Sequence, residues 1–516
     1  MTPAPLLAIP PFPGARAPRF AVPGGDGAGE AAELLAALAQ HRVGGCYWGR
    51  PPAVPLGDFV LDGTAAPLPD AAVWDTACDP WPALDCAASV RLTENDTRAL
   101  LALAAEAPLV LVGDDGAERA VSAADVERLI IAGLKGWQWR NPFTHKPITA
   151  AEAIAICGEW RRLTDANRMI YSVMGIAYWK KPTVTPLLWA GTPVPYRRAL
   201  DDLPEGAAVA IWRARLSAAQ RRAIMQQAPP VIEIEDGFIR SAGLGADCVP
   251  PLSIIVDTSG PHFAPGAPSD LEQLLQTGLF PSDLLARAKA LRAAIIAGGL
   301  SKYETGGVEV LPRFGGKRRH VLVPGQVEDD RAVTSGGALA SNLELLRRAR
   351  AEAGADAYLI YKPHPDVLAG HRRGMIPDRE VTALADRVET TSPMAALIAM
   401  VDELHVNSSL AGFEALMRGK PVTVHGVPFY AGWGLTVDLG PVPPRRTARR
   451  TLDELVAAAL LVYPRYLDPE TSLPCSAEVL VERLTSGPVE LNGGARAVVA
   501  LRRSAGQVKR ILKVRV

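Results

Sequence analysis

The chain has 516 residues, and its 55 Lys and Arg are balanced by 55 Asp and Glu. That length predicts roughly three domains, and 48% hydrophobic against 21% charged residues fills sizeable cores. Neutrality argues against a nucleic-acid partner, which needs a basic face, and no apolar run approaches the ~20 residues of a membrane span.

Residues 1–35 are rich in Ala, Gly and Pro and are expected to form a disordered arm. Prolines break its apolar stretches and no basic segment precedes them, so it does not read as a secretory signal. A helix is predicted over 30–41. Cys46, Cys78, Cys86, Cys157, Cys248 and Cys475 make no CxxC pair. Neither a zinc site nor a disulfide framework is expected, and a reducing cytoplasm is the default.

An internal repeat follows. Residues 79–113 align with 392–426 without a gap: Pro80 falls on Pro393, Leu84 on Leu397, Leu103 on Leu416, Pro108 on Pro421 and Gly113 on Gly426. Residues 121–154 resemble 450–480 in the same order. Where the later copy has Ser408, Ser409 and Glu414, the earlier has Asn95, Asp96 and Leu101. Residues 36–165 therefore read as a degenerate remnant of a duplicated module that kept its packing and lost its chemistry. Two Ala- and Leu-rich helices that merely look alike are the bland alternative.

From 166 to 485 short apolar runs alternate with helix-like stretches. Buried parallel strands are predicted at 207–212, 230–236, 320–325, 357–363, 403–409 and 421–426, and helices at 282–297, 337–354, 393–400 and 410–418. This is an α/β pattern. The Gly- and base-rich stretch 301–319 divides it into units of 166–316 and 317–485. Two such units facing across a cleft bind nucleotides at strand carboxyl ends.

Four segments carry chemistry. In VIEIEDGFIRSAGLG (231–245), Glu235, Asp236, Arg240 and Ser241 lie at or past a strand end. There one carboxylate could be base or nucleophile, or the acids could simply flank an Asp-Gly turn. In VLVPGQVEDD (321–330), Gln326, Glu328 and Asp329 could face a cleft, or sit in a solvated loop. In YKPHPD (361–366), prolines stiffen a loop presenting Lys362 and His364, a pair that suits a phosphate; a structural turn is the alternative. In NSSLAGFEALMRGKPV (407–422), a strand ends at Ser408 and Ser409 and a helix begins at once. Its N-terminus is able to take an anion and Glu414 a ribose, or the serines only cap and the acid only faces solvent.

These segments, with GIAYWKKP (175–182), SKYE (301–304) and PFYAGWGLT (428–436), resemble the capsule-polysaccharide biosynthesis family of the KpsC/LipB type, over about 165–440 and in the family's order. The resemblance implies a GT-B-like pair of Rossmann-type domains. It implies a retaining transferase that moves 3-deoxy-manno-octulosonic acid (Kdo) from CMP-Kdo to a lipid-linked acceptor in capsule-linker synthesis. It makes Asp236 the nucleophile and Glu235 the alternative carboxylate. Lys362 and His364 would hold the CMP phosphate with Ser408 and Ser409 assisting, and Gln326, Glu328 and Glu414 would face the nucleotide. Arg240, Ser241 and Lys302 would line the cleft. No metal or other cofactor is implied. Long family members carry two complete modules and this chain one, and SKYE has Glu304 where the family usually has Asn.

The tail 486–516 is basic, with seven Lys and Arg and no acid over 496–516. It reads either as a disordered tail or as a contact with an anionic membrane surface. The expected location is cytoplasmic, peripheral to the inner membrane. The rival functions are a same-fold transferase for another nucleotide sugar and a catalytically silent factor in capsule assembly or export.

Overall fold

The computed structural model of the protein describes residues 4–16, 18–25, 27, 29–55, 57–239, 249–301, 310–336, 339–370 and 372–486. The chain forms two compact units. The first runs to Ile170 and adds Thr185–Val194 and Glu470–Pro474; the second holds Tyr171–Val184, Pro195–Pro469 and the chain from Cys475 on. The two short returns to the first unit have no signal in the sequence pattern.

The first unit contains β1 (Ala21–Pro23), β2 (Val60–Asp62), β3 (Ala72–Val73), β4 (Ser89–Thr93), β5 (Leu109–Val112), β6 (Glu118–Ala120), β7 (Trp137–Arg140) and β8 (Pro147–Ile148). One sheet has the order β3-β2-β4-β5-β6, parallel except for the β5–β6 pair. A second, β1-β7-β8, is antiparallel. Trp81, Trp139 and Trp160 are fully buried. Arg161 grips the buried Asp79 with Nη2 2.7 Å from Oδ2, and also donates to the Arg42 carbonyl at 2.6 Å. A buried guanidinium is tolerable because its donors are met in this way.

The expectation of a disordered arm is corrected here. Leu6, Leu7, Phe12 and Phe20 are buried. The Phe20 ring meets Trp139 edge-on with centroids 5.4 Å apart, and Ala21 pairs with Trp139 in the β1–β7 ladder. Ala, Gly and Pro dominate the composition, but four spaced apolar anchors supply the burial, and proline lowers the entropy lost on ordering.

The second unit carries two six-stranded sheets. The first is built from β9 (Ile170–Met174), β10 (Ala208–Ile211), β11 (Val231–Asp236) and β12 (Ser253–Asp257). The second follows with β13 (His320–Pro324), β14 (Tyr358–Lys362), β15 (Arg387–Val388), β16 (Glu403–Val406), β17 (Val422–Val424) and β18 (Val437–Asp438). The chain then returns to the first with β19 (Pro464–Leu467) and β20 (Pro474–Cys475). The first sheet has the order β20-β19-β12-β11-β10-β9 and the second β15-β14-β13-β16-β17-β18. The second is parallel throughout. All five residues of β13 are buried, its Val-Leu-Val run lying between parallel neighbours.

In the first sheet β10 and β11 are parallel, but β12 runs antiparallel to both β11 and β19. Neither β12 nor β19 was among the predicted strands, because short apolar runs next to proline and serine give little periodicity. The helix expected over 337–354 begins at Asn342: the Ser341 hydroxyl accepts the Glu344 amide and so fixes its start. The helix Ser282–Ala297 has the predicted bounds.

Candidate active site

Three neighbouring strands of the second sheet end level. Pro324 pairs with Lys362 across β13 and β14, and Leu322 pairs with Leu404 across β13 and β16. Gln326, His364 and Ser408 each follow two residues beyond a strand end, on strands about 4.8 Å apart. The chain moves from β13 outward through β14 and β15, then returns to the other side of β13 as β16. The crevice beyond β13 and β16 is therefore the topological switch point, where open α/β sheets take ligands.

Gln326 and Ser408 face each other there. Gln326 Oε1 accepts the Ser408 amide at 2.9 Å, and Gln326 Nε2 donates to Ser408 Oγ at 3.2 Å. Ser408 Oγ in turn donates to the Ala332 carbonyl at 3.0 Å. The main chain of Gln326 is clamped by the buried Asn342. Asn342 Oδ1 accepts the Gln326 amide and Nδ2 donates to the Gln326 carbonyl, each at 2.8 Å. His364 Nδ1 accepts the Asp366 amide at 3.2 Å, so a neutral ring carries its proton on Nε2 and can donate from that edge.

The remaining nucleotide-side residues have structural partners. Lys362 is buried and donates to the Ser392 carbonyl at 2.7 Å. Glu328 accepts the Asn342 amide at 2.8 Å, at the start of the helix Asn342–Ala353. Ser409 caps the helix Leu410–Met417 by accepting the Ala411 amide at 3.2 Å. Glu414 is buried within that helix, where its charge offsets the downward push of burial on Arg418. The loop 428–436 folds onto the same helix: the Tyr430 hydroxyl donates to the Ser409 carbonyl, and a Cβ at Gly412 would collide with it. Only glycine allows that approach.

The acids lie at the end of β11. Asp236 Oδ1 accepts a hydrogen bond from Lys180 Nζ at 3.0 Å. That ammonium lies 3.3 Å from the centroid of the Trp212 ring and 5.1 Å from that of Trp179. Glu233, on the strand face of Glu235, pairs with Arg213. Burial pushes the Glu235 carboxyl up to about 7 against the pull of Arg331, and Asp236 and Glu233 add to the rise.

Arg331 ties the two clusters together. Its Nη1 lies 2.7 Å from Glu235 and 3.4 Å from Glu233, while its neighbour Ala332 holds Ser408. The structure thus brings Glu235, through Arg331, next to Gln326 and Ser408, while Asp236 follows it at the strand end on Lys180. Glu328, Ser409 and Glu414 serve the frame around that crevice. Arg240, Ser241, Lys302 and the tail 487–516 lie outside the described residues.

Lys180, Arg213, Arg331 and Asn342 were not among the predicted site residues. Lys180 had a signal, since it lies within GIAYWKKP, and Arg331 directly follows PGQVEDD. Arg213 and Asn342 had none. Among the described residues no group of three or more His, Cys, Asp or Glu is placed to hold a metal ion, and no helix is long and apolar enough to cross a membrane.

Residues 207–466, half of the chain, match the family model for capsule polysaccharide biosynthesis proteins, and the chain belongs to that family. It is similar to the capsule polysaccharide modification protein LipA of Neisseria meningitidis serogroup B (strain ATCC BAA-335 / MC58). The two are 37% identical over 364 residues, 68% of this chain and 51% of LipA. The lipopolysaccharide-processing protein LpsZ of Rhizobium meliloti is 38% identical over 357 residues, 67% of this chain and 80% of LpsZ. The chain spans about half the length of the LipA proteins it matches. Among solved structures, the β-Kdo 2,4 transferase of Thermosulfurimonas dismutans KpsC superposes with a TM-score of 0.53 at 32% identity, covering 61% of this chain and 98% of that one. The β-Kdo 2,7 transferase of the same protein gives 0.51 at 32% identity, covering 61% and 99%.

Proposed function

We propose that the second unit is a GT-B-type glycosyltransferase that moves Kdo from CMP-Kdo, with retention, to a lipid-linked acceptor in capsule synthesis. The observation that carries this is the Arg331 bridge, which sets an acid-bearing strand end beside a nucleotide-type switch point. The two Kdo transferase structures, each matched along nearly its whole length, supply the sugar class.

In this reading the CMP moiety lies over Gln326 and Ser408, with the His364 Nε2 edge toward the phosphate. Asp236 attacks the anomeric carbon, and the bond to the phosphate oxygen breaks as CMP leaves. An acceptor hydroxyl then attacks that carbon from the face CMP vacated, opposite Asp236, releasing the carboxylate as the hydroxyl proton passes to solvent. Two inversions give net retention. Lys180, boxed by two indoles, pairs with the Asp236 carboxylate and orients it. Glu235 keeps a proton up to about neutral pH, which spares Asp236 a second adjacent anion.

The first unit is, in the same reading, the worn remnant of a second module. In support, its elements from β4 to β8 follow the order found from β16 to β20. Asp96 accepts the Arg98 amide two residues on, as Ser409 accepts that of Ala411. Ser122 and Thr451 each open a helix with a capping box, and each helix runs on into a π-helical turn, Ile131–Lys135 and Ala457–Val462. The switch-point hydroxyls are replaced by Asn95 and Asp96.

The test is CMP release from CMP-Kdo with a Kdo-capped lipid acceptor, together with intact-protein mass after donor addition. Wild type is expected to release CMP and to carry a one-Kdo adduct, both lost in Asp236→Ala. Release without dependence on Asp236 would overturn the nucleophile. No release from CMP-Kdo would favour a different nucleotide sugar or a silent assembly factor.

A further inference from the structure

Arg331 belongs to both halves of the candidate site. Its main chain is on the nucleotide side: Asp330 caps its helix, and Ala332 receives the Ser408 hydroxyl. Its guanidinium is on the acid side, against Glu235 and Glu233, with Cζ 5.0 Å from the centroid of the Phe263 ring. Glu233 and Asp236 have cations of their own in Arg213 and Lys180. Among the described residues each of these three acids meets a base, and Arg331 alone reaches its acids from the nucleotide side.

A guanidinium carried on the nucleotide side and aimed at the acid-bearing strand end is a specific demand on the donor. In a nucleotide-linked ulosonic acid, a carboxylate is bonded to the same carbon that carries the phosphate oxygen. It travels with the reacting centre and would repel an attacking Asp. A planar guanidinium matches a carboxylate with two parallel N–H donors. A neutral sugar offers no such partner and would leave the cation and the protonated Glu235 as they are.

We propose that Arg331 reads the carboxylate of the donor sugar, exchanging Glu235 for it as the donor binds, and so selects ulosonic acids over neutral sugars. This rests on the transferase reading above. A charge-assisted pair of this kind is worth about ten- to a hundredfold in affinity.

The test pairs donor kinetics with binding of CMP, which lacks the sugar acid. Arg331→Gln is expected to raise the KM for CMP-Kdo by about tenfold or more and to leave CMP affinity within about twofold. Arg331→Lys keeps the charge but not the fork, and should fall between. Thermal melting establishes that both variants are folded. An unchanged donor KM, or equal weakening of CMP and CMP-Kdo, would overturn the assignment and leave Arg331 a structural tie. If Arg331→Gln does not fold, Arg331→Lys alone decides, and an unaltered donor KM there is equally fatal. Absence of turnover in wild type would remove the transferase reading and this inference with it, whereas wild-type turnover with an unaltered variant KM removes this inference only.

Discussion

Gln326 and Ser408, 82 residues apart, bind each other through both ends of one carboxamide. The oxygen takes the serine amide and the nitrogen meets the serine hydroxyl. The loops after β13 and β16 are joined side chain to main chain at the crevice where a ligand would enter. A flipped carboxamide would set its N–H groups against the serine amide and lose that bond, so the pair sets the orientation of each group.

That reciprocity predicts non-additive substitutions. Gln326→Ala and Ser408→Ala should each weaken donor binding, and the double variant should lose less than the sum, with a coupling of about 0.5–3 kcal/mol. Chemical denaturation and donor KM across the four proteins measure it. Simple additivity would mean that the two residues act separately.

Lys180 separates positioning from binding. Lys180→Met fills the indole box but leaves Asp236 without its cation. The expected result is a fall in kcat with donor KM little changed, and a stability loss of about 1–3 kcal/mol for the partly buried acid. Steady-state kinetics and urea titration read the two effects. A rise in KM at constant kcat would place Lys180 on the substrate instead.

Glu235 predicts a pH signature. Its carboxyl is raised from 4.5 to about 7, mainly by burial. Between those values the folded chain holds a proton that the unfolded chain has lost, so this group makes stability fall as pH rises through that window. Glu235→Gln cannot ionise, and its melting temperature should gain on wild type as pH rises from 4.5 to about 7 and level off above that. A difference independent of pH would show that Glu235 ionises like an ordinary acid.

His364 has two separable roles. Its Nδ1 caps the short helix Pro365–Leu368, and its Nε2 is the edge assigned to phosphate. His364→Ala should cost about 1 kcal/mol of stability and also raise donor KM. Asn is a good N-cap, so His364→Asn should recover stability while donor KM stays raised. Recovery of both would reduce His364 to a cap.

Strand ends were legible from sequence because a parallel sheet buried on both faces writes itself as apolar runs closed by Gly, Pro or Ser. Gln326, His364 and Ser408 follow such runs at the same offset, and that offset is the register seen in the ladder. The partners of those residues were not legible. Lys180 meets Asp236 across 56 residues around the first sheet, and Arg331 meets Glu235 across 96 residues from one sheet to the other, separations that no local pattern fixes. The roles of Lys362 and Glu328 were hidden for the opposite reason. Their partners, the Ser392 carbonyl and the Asn342 amide, are main-chain groups that no residue type announces.

Ala21–Pro23 lies along β7 on the flank that β12 occupies against β19. A ribbon with that flank open would present bare amides and carbonyls to any passing chain. Three residues of an arm poor in strand signals therefore close a sheet edge that would otherwise stand open to pairing.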